Sequence, residues 1–386
     1  MSVYLNNAAT TWPKPEPVAR AMFDFLSSGG ANLGRGSTAG RDLKTANLVG
    51  DLRQKVARLF GGYENGDPRY VTFTSGVTEA LNIVLKGYLR PGMRAVTTSM
   101  EHNSVIRPLR RLETQGVELT ILRCDEKGHL DPAALRRRFQ EPADLFVLAG
   151  ASNLCGTIQD LEAIAEICRE RKVPLVVDAA QTAGLIPHDA ASLGLAALCF
   201  TGHKALQGPQ GTGGVVWRPD FAEKCLPLME GGTGSRSHEE NQPELLPDKF
   251  EAGTPNLPGL SGFSAALDWL ATEGIDRVRR REEVLGERLL EGLKSLPGVR
   301  LYGSSEMEGR LPVFTLNLEG FDNNDLAREL AQRWEIEARP GIHCAPLAHQ
   351  TLGSFPQGAL RLSPGYFNRE EEIDRCLEAI RELASH

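Results

Sequence analysis

The chain has 386 residues, 43 Lys+Arg against 50 Asp+Glu, and a net charge of −7. At 41% hydrophobic and 24% charged it has an ordinary globular composition, long enough for two or three domains and a core that needs no disulfides. No run approaches the roughly 18 apolar residues of a membrane span, and a mildly acidic chain without a basic block is a poor nucleic-acid binder, so neither membrane nor nucleic acid is an expected partner.

The opening MSVYLNNAATTWPKP has no basic stretch leading into an apolar run, so no signal peptide is expected. RYVTFT (69–74) reads as a strand, and SGVTEALNIVLKGYL (75–89) as a helix with apolar positions at 77, 81, 84 and 85. MRAVTTS (93–99), VELTILRC (117–124), ADLFVLAGAS (143–152), VPLVVDAA (173–180) and LAALCFTG (195–202) read as further strands, with DLEAIAEICRERK (160–172) as one of the helices between them. Strand–helix alternation with near-continuous apolar strands predicts an α/β unit whose parallel or mostly parallel sheet is covered on both faces. Beyond residue 263 the texture changes. One long amphipathic helix is expected over 261–296, then a strand over 311–319, and helices over 322–334 and 369–384. This is a smaller α+β unit, set off by AGTPNLPG (252–259).

The carboxyl ends of the strands are the places to look for chemistry, because ligands of open α/β sheets gather there. VPLVVDAAQ leaves Asp178 and Gln181 at one strand end, and the next strand ends in Thr201, His203 and Lys204. A desolvated lysine suits Schiff-base chemistry. A carboxylate one strand away is what pyridoxal 5′-phosphate needs to keep its ring nitrogen protonated. Either residue alone is ordinary; the pair at sheet-crossing spacing, followed by the glycine-rich ALQGPQGTGG, is more telling. The strand RYVTFT runs into Ser75, Gly76, Val77 and Thr78, a helix N-terminus whose free N–H groups favour a phosphate. GxxxxGK[ST] is absent, and GTGGVV (211–216) lacks the third glycine of a dinucleotide loop. His102, after the strand 93–99, could stack on an aromatic cofactor.

Seven cysteines (124, 155, 168, 199, 225, 344 and 376) are scattered and form no CxxC. No metal site is expected, and this usage fits a reducing compartment such as the cytoplasm. Cys344 differs from the rest. It sits in RPGIHCAP (339–346), preceded by His343, with Arg339 and Arg361 nearby; electropositive surroundings of this kind favour a thiolate, and either arginine could clamp a carboxylate bidentately. Cys155, close to Asn153 at another strand end, is a second cysteine of interest.

Eight pieces in order, YLNNAATT (4–11), TSGVTEALN (74–82), EHNS (101–104), SNLCGT (152–157), VVDAAQ (176–181), TGHKALQGPQGTGG (201–214), FEAGTPN (250–256) and RPGIHCAPLAH (339–349), together resemble the cysteine desulfurases of the class V, fold-type I pyridoxal-phosphate enzymes over essentially the whole chain. The compact cysteine segment looks like the SufS-like, short-loop branch. The resemblance implies a seven-stranded-type sheet between helices in a large domain over 16–262, and a small domain made of 1–15 and 263–386. It implies that Lys204 is the Schiff-base lysine, Asp178 the pyridinium partner, Gln181 the donor to the cofactor's phenolic oxygen and His102 the ring-stacking residue. Thr78, Thr201 and His203, with the Gly76–Val77 backbone, match phosphate ligands. Thr254 matches a phosphate ligand lent by the second subunit of a homodimer. Asn153 and Arg361 match groups that hold the substrate amino acid, Arg339 lies near them, and Cys344 matches the nucleophile that takes up sulfur.

What the resemblance implies in function is removal of sulfur from L-cysteine, giving L-alanine and a Cys344 persulfide for a sulfur-acceptor protein and for iron–sulfur cluster assembly. The alternative is a selenocysteine lyase acting on L-selenocysteine, or another class V enzyme. Ile342, where the family often has a second histidine, and the segment 231–256 depart from the family pattern.

Overall fold

A computed structural model describes residues 2–33 and 38–385. After a short first strand, β1 (Val3–Tyr4), seven strands build the large sheet: β2 (Val71–Thr74), β3 (Arg94–Thr98), β4 (Glu118–Leu122), β5 (Leu145–Ala149), β6 (Leu175–Asp178), β7 (Ala197–Thr201) and β8 (Gly213–Trp217). Their spatial order is β2-β8-β7-β6-β5-β3-β4, and β8 alone runs against its neighbours. Alternation along the strands explains why they read as continuous apolar runs. Leu145 and Val147 of β5 belong to one buried cluster while Phe146 and Leu148 belong to another; Val176 and Val177 of β6 divide the same way. Both faces are therefore covered by helices. Ile164, Ile167 and Cys168 of helix Leu161–Arg171 pack on one side, and Ala80, Leu81 and Val84 of helix Val77–Tyr88 on the other. The expected mostly parallel α/β architecture is the one observed.

Three local readings are corrected. The helix expected over 261–296 is two helices, Leu257–Glu273 and Ile275–Lys294, because Gly274 between them adopts φ +84° and ψ 130°, a backbone open to glycine and strained for other residues. The first of these helices begins inside the stretch AGTPNLPG, and its apolar residues Leu260, Phe263 and Leu267 join the large unit's core. The second correction is β8: the run GTGG is not a loop against a ligand but the start of a strand between β7 and β2. Glycine is required there by closeness, since a Cβ on Gly214 would stand 2.3 Å from the Thr72 carbonyl oxygen. The third is Arg339, expected in a loop, which opens a strand.

That strand belongs to a four-stranded antiparallel sheet made of β9 (Val299–Tyr302), β10 (Phe314–Leu318), β12 (Arg339–Gly341) and β13 (Ala359–Leu362), in the order β12-β13-β10-β9. Helices Asn323–Trp334, Glu370–Ala384 and the C-terminal part of Ile275–Lys294 cover it through Leu326, Leu330, Ile373, Ile380, Leu289 and Leu293. β1 pairs in parallel with β11 (Ile336–Glu337) as a separate two-stranded sheet, and Asn6 bridges Ser363 just past β13, so the N-terminal segment starts beside the four-stranded sheet. It then crosses to the large one. Ala8 N donates to Ser363 Oγ (3.0 Å), Thr10 Oγ1 to the His203 carbonyl (3.1 Å) and Thr11 Oγ1 to the Lys204 carbonyl (3.0 Å). The lysine turn after β7 is thus tied to both sheets.

Candidate active site

β6 and β7 are adjacent and parallel, with Asp178 level with Cys199, so the chain leaving β7 passes the end of β6. It turns at once: Gly202 N donates to the Thr212 carbonyl and Gly208 N to the Gly202 carbonyl, both at 2.8 Å. This turn brings His203 and Lys204 to a cavity of about 200 Å³ at the carboxyl edge of the sheet. Asp178 and Gln181 line the same cavity, as do Val77 and Thr78 from a helix start, and His102 and Asn153 from two further strand ends. The smaller unit adds Arg339, His343 and Arg361. Ten of the residues expected at the site therefore face one space.

Four do not line it. Gly76 and Thr201 lie just behind it, where a Cβ on Gly76 would stand 3.5 Å from Thr201 Oγ1. Cys344 is exposed, with Sγ 3.9 Å from Nη2 of the cavity residue Arg339. Thr254 lines a separate cavity of about 550 Å³, with Thr74, Ser75 and Glu79. Its segment is fastened there by Glu251, which accepts from Phe73 N (2.6 Å) and from both terminal nitrogens of Arg53. Cys155 is buried, its sulfur 3.1 Å from Thr157 Oγ1.

Electrostatics in the cavity favour a free amine. Burial lowers the Lys204 amine to about 8; Asp178 opposes that shift, and Arg361 and Arg339 add to it. Among the described residues its Nζ has no hydrogen-bond partner. Burial pushes the Asp178 carboxyl up, while the Ala180 N–H (2.9 Å), Lys204 and Ser104 favour its anion. His102 is held down at about 4, first by burial and then by Lys204, Arg339 and Arg361. Its Nδ1 accepts the Ser104 N–H at 3.0 Å, so the neutral ring carries its proton on Nε2 and keeps its faces free.

Arg361 is buried, and burial followed by Arg339 lowers its guanidinium to about 9. It pairs across the antiparallel ladder with Arg339. Nη1 donates to the Asn153 carbonyl (2.9 Å) and Nη2 to Asn6 Oδ1 (3.0 Å); Nε has no partner. A positive group held this deep without a carboxylate is set up to receive one. Asn153 Nδ2 donates to the His343 carbonyl (2.9 Å), linking the same wall to the cysteine loop.

The residues present suit pyridoxal 5′-phosphate. His203 Nδ1 is buried with no partner, beside the open start of helix Val77–Tyr88, as a phosphate site requires. Gln181 donates one N–H to the Ala8 carbonyl (3.1 Å), which leaves the other for a ring oxygen. An unpartnered amine and a buried carboxyl complete the set.

Sequence reasoning passed over four residues. Ser104 lines the cavity and sets the His102 tautomer. Asn6 orients Arg361. Glu101 is buried, accepting from Thr98 Oγ1 (2.5 Å) and Ala149 N (2.8 Å). His349 stands behind the cysteine loop. Each lies within a quoted motif; Asn6 and Glu101 meet partners far away in sequence, while Ser104 and His349 act on histidines two and six residues away through a turn geometry that spacing alone does not show.

Residues 3–376 match the family Aminotransferase class-V. The chain is similar to a probable cysteine desulfurase of Methanothermobacter thermautotrophicus, at 33% identity over 99% of this chain and 94% of the relative. A probable cysteine desulfurase of Pseudomonas aeruginosa is 35% identical over 98% and 92%. Among solved structures, the apo cysteine desulfurase of Thermococcus onnurineus superposes with a TM-score of 0.91 at 30% identity, over 100% of this chain and 95% of that one. The cysteine desulfurase CsdA of Escherichia coli, in an S-sulfonic acid form, gives 0.87 at 28% identity with the same coverage. With its fold and cavity described and nearly its whole length matched, the chain belongs to the class-V aminotransferase family of pyridoxal-phosphate enzymes.

Proposed function

We propose that this protein is a cysteine desulfurase that takes sulfur from L-cysteine, leaves L-alanine and carries the sulfur as a persulfide on Cys344. One observation carries the reading. Lys204 and Asp178 meet at adjacent strand ends beside a deep arginine, and the single exposed cysteine of the seven, Cys344, borders that site through Arg339.

When bound, pyridoxal 5′-phosphate supplies an aldehyde carbon for an amine and a ring that stores the electron pair released at Cα. Lys204 holds the cofactor in the resting enzyme and, with its amine lowered to about 8, serves as base toward the Cα proton; such catalysis contributes roughly 10²–10⁴ in rate. Asp178 would pair with the ring nitrogen, and a cation there would offset the cost of its burial. His203, Thr78, Thr201 and the Gly76–Val77 backbone would hold the phosphate, Gln181 the phenolic oxygen, and His102 a face of the ring. Arg361, helped by Asn153, holds the substrate carboxylate. The Cys344 thiolate attacks the substrate sulfur: an S–S bond forms as the Cβ–S bond breaks, and the carbon side, once protonated, leaves as L-alanine.

The same reading extends to a homodimer in which Thr254 serves the partner's phosphate, and to a sulfur-acceptor protein that discharges the exposed Cys344, with iron–sulfur cluster assembly as the use of the sulfur. Seven free cysteines suit a reducing cytoplasm; among the described residues no helix is long and apolar enough to cross a membrane. Pairing of β1 with β11 supports assigning residues 1–15 to the small domain, whereas Phe263 and Leu267 pack in the large core, so the start of 263–386 belongs with the large domain. Mass spectrometry after incubation with L-cysteine should find one added sulfur on Cys344. Cys344→Ala should keep the cofactor's yellow colour and lose sulfide release. Undiminished release from that variant would favour a lyase that needs no thiol.

A further inference from the structure

Two consecutive residues at the exposed thiol stand in the left-handed region, His343 at φ +52° and Cys344 at φ +57°. For residues with side chains this backbone persists in succession only where the surroundings hold it. Both carbonyls are caught: His343 O accepts from Asn153 Nδ2 at 2.9 Å, and Cys344 O from the Asn103 N–H at the start of helix Asn103–Glu113, at 2.7 Å. The His343 ring is caught too. Its Nε2 lies 2.9 Å from the Arg339 carbonyl and its Nδ1 3.3 Å from His349 Nε2; His349 Nδ1 in turn lies 2.7 Å from Ser354 Oγ. The two imidazoles meet nearly coplanar, 17° apart.

A carbonyl oxygen can only accept, and that fixes every proton in the row. His343 carries its proton on Nε2 to donate to Arg339, so its Nδ1 is bare and accepts. His349 then carries its proton on Nε2, and its bare Nδ1 accepts the Ser354 hydroxyl. The row requires a neutral His343 ring, and burial lowers His343 to about 3 and His349 to about 4. A second proton on His343 would set donor against donor at His349, and one on His349 would turn the Ser354 hydroxyl from donor to acceptor.

We propose that His349, acting through His343, is a positioning residue for the sulfur-accepting thiol: the row from Ser354 through both imidazoles to the Arg339 carbonyl holds Cys344 in its left-handed turn beside Arg339. This rests on the reading of Cys344 given above, whereas the ring tautomers do not. Thiol and substrate sulfur must meet in line, and a displacement of about 1 Å costs up to roughly 10²-fold in rate.

In the holoenzyme, His349→Leu should lower kcat for sulfide release about 10–100-fold while KM for L-cysteine stays within about twofold, since Arg361 is untouched. His349→Gln, whose amide can still donate to His343 Nδ1, should recover most of that loss. If the leucine variant does not fold, His349→Asn takes its place, keeping the acceptor for Ser354 and losing the donor to His343. In ¹⁵N NMR of histidine-labelled protein both rings should appear as Nε2–H tautomers between pH 6 and 8. A wild-type kcat in His349→Leu, the same deficit in His349→Gln, or an Nδ1–H tautomer at either ring overturns the proposal. Sulfide release from Cys344→Ala with both rings still Nε2–H would instead overturn the reading of the thiol beneath it.

Discussion

Arg361 shows how a buried charge is kept waiting for a partner. It is 1% exposed, and two of its N–H groups orient it on the Asn153 carbonyl and Asn6 while the rest remain for a ligand. A lysine there would keep the charge and lose the fork that can bind protein and carboxylate together. Charge-assisted hydrogen bonds are worth about 1.5–3 kcal/mol each. Arg361→Lys should therefore raise KM for L-cysteine about 10–100-fold with a smaller change in kcat, measured by steady-state kinetics. If Arg339→Lys shows that KM increase and Arg361→Lys does not, the carboxylate is held by the wrong arginine in this account. Lys204, Asp178, His102 and Cys344 are legible in the sequence because each stands at a strand end or in a Gly/Pro loop with a distinctive neighbour. Asn6 is not legible because only the fold brings Arg361 near it; Ser104 and His349 are not legible because their roles depend on how a local turn aims each at a neighbouring histidine.

At the scale of elements, the strands of the large sheet are legible because burial on both faces makes them apolar throughout. β8 is hidden because its first two residues are glycines chosen by the nearness of β2 and β7 rather than by strand preference. The break at Gly274 is hidden because the apolar spacing continues on both sides of it. Helix Ile275–Lys294, which follows, carries Glu282, a 5%-exposed carboxyl accepting the Tyr366 N–H at 3.1 Å. Burial raises this acid from 4.5 to about 8. A folded value above the unfolded one means that the acid's contribution is whole below pH 4.5 and is lost as pH climbs to 8, because the unfolded chain ionises first. Glu282→Gln keeps the acceptor for Tyr366 and cannot ionise. It should match the wild type near pH 4.5 and be more stable by on the order of 3 kcal/mol at pH 8, as read from denaturant midpoints across that range. A gap that does not change with pH would mean that Glu282 is not the titrating group.

At the scale of the molecule, the cavity is built where two sheets meet, and the N-terminal segment is bonded to both. Val77, Thr78 and His203 of this chain line that cavity, whereas Thr254 opens onto a different hollow next to the same helix start. Arg53 and Glu251, a nearly buried pair, fasten the Thr254 segment so that it cannot swing to the cavity of its own chain without leaving two charges unpaired, at a cost of about 3–5 kcal/mol. If this protein pairs about a two-fold axis, as most homodimers do, the partner's copy of this segment is the candidate to reach the cavity. Subunit mixing tests this directly. Lys204→Ala removes the linkage of one site, and Thr254→Ala weakens a phosphate contact. If Thr254 acts across the interface, a heterodimer of the two variants concentrates both defects in one site and leaves the other native. Refolding or exchanging the two variants together should then restore sulfide release above the sum of the separate homodimers. If Thr254 acts within its own chain, every site in the mixture carries a defect, no recovery appears, and the phosphate site must be complete in a single subunit.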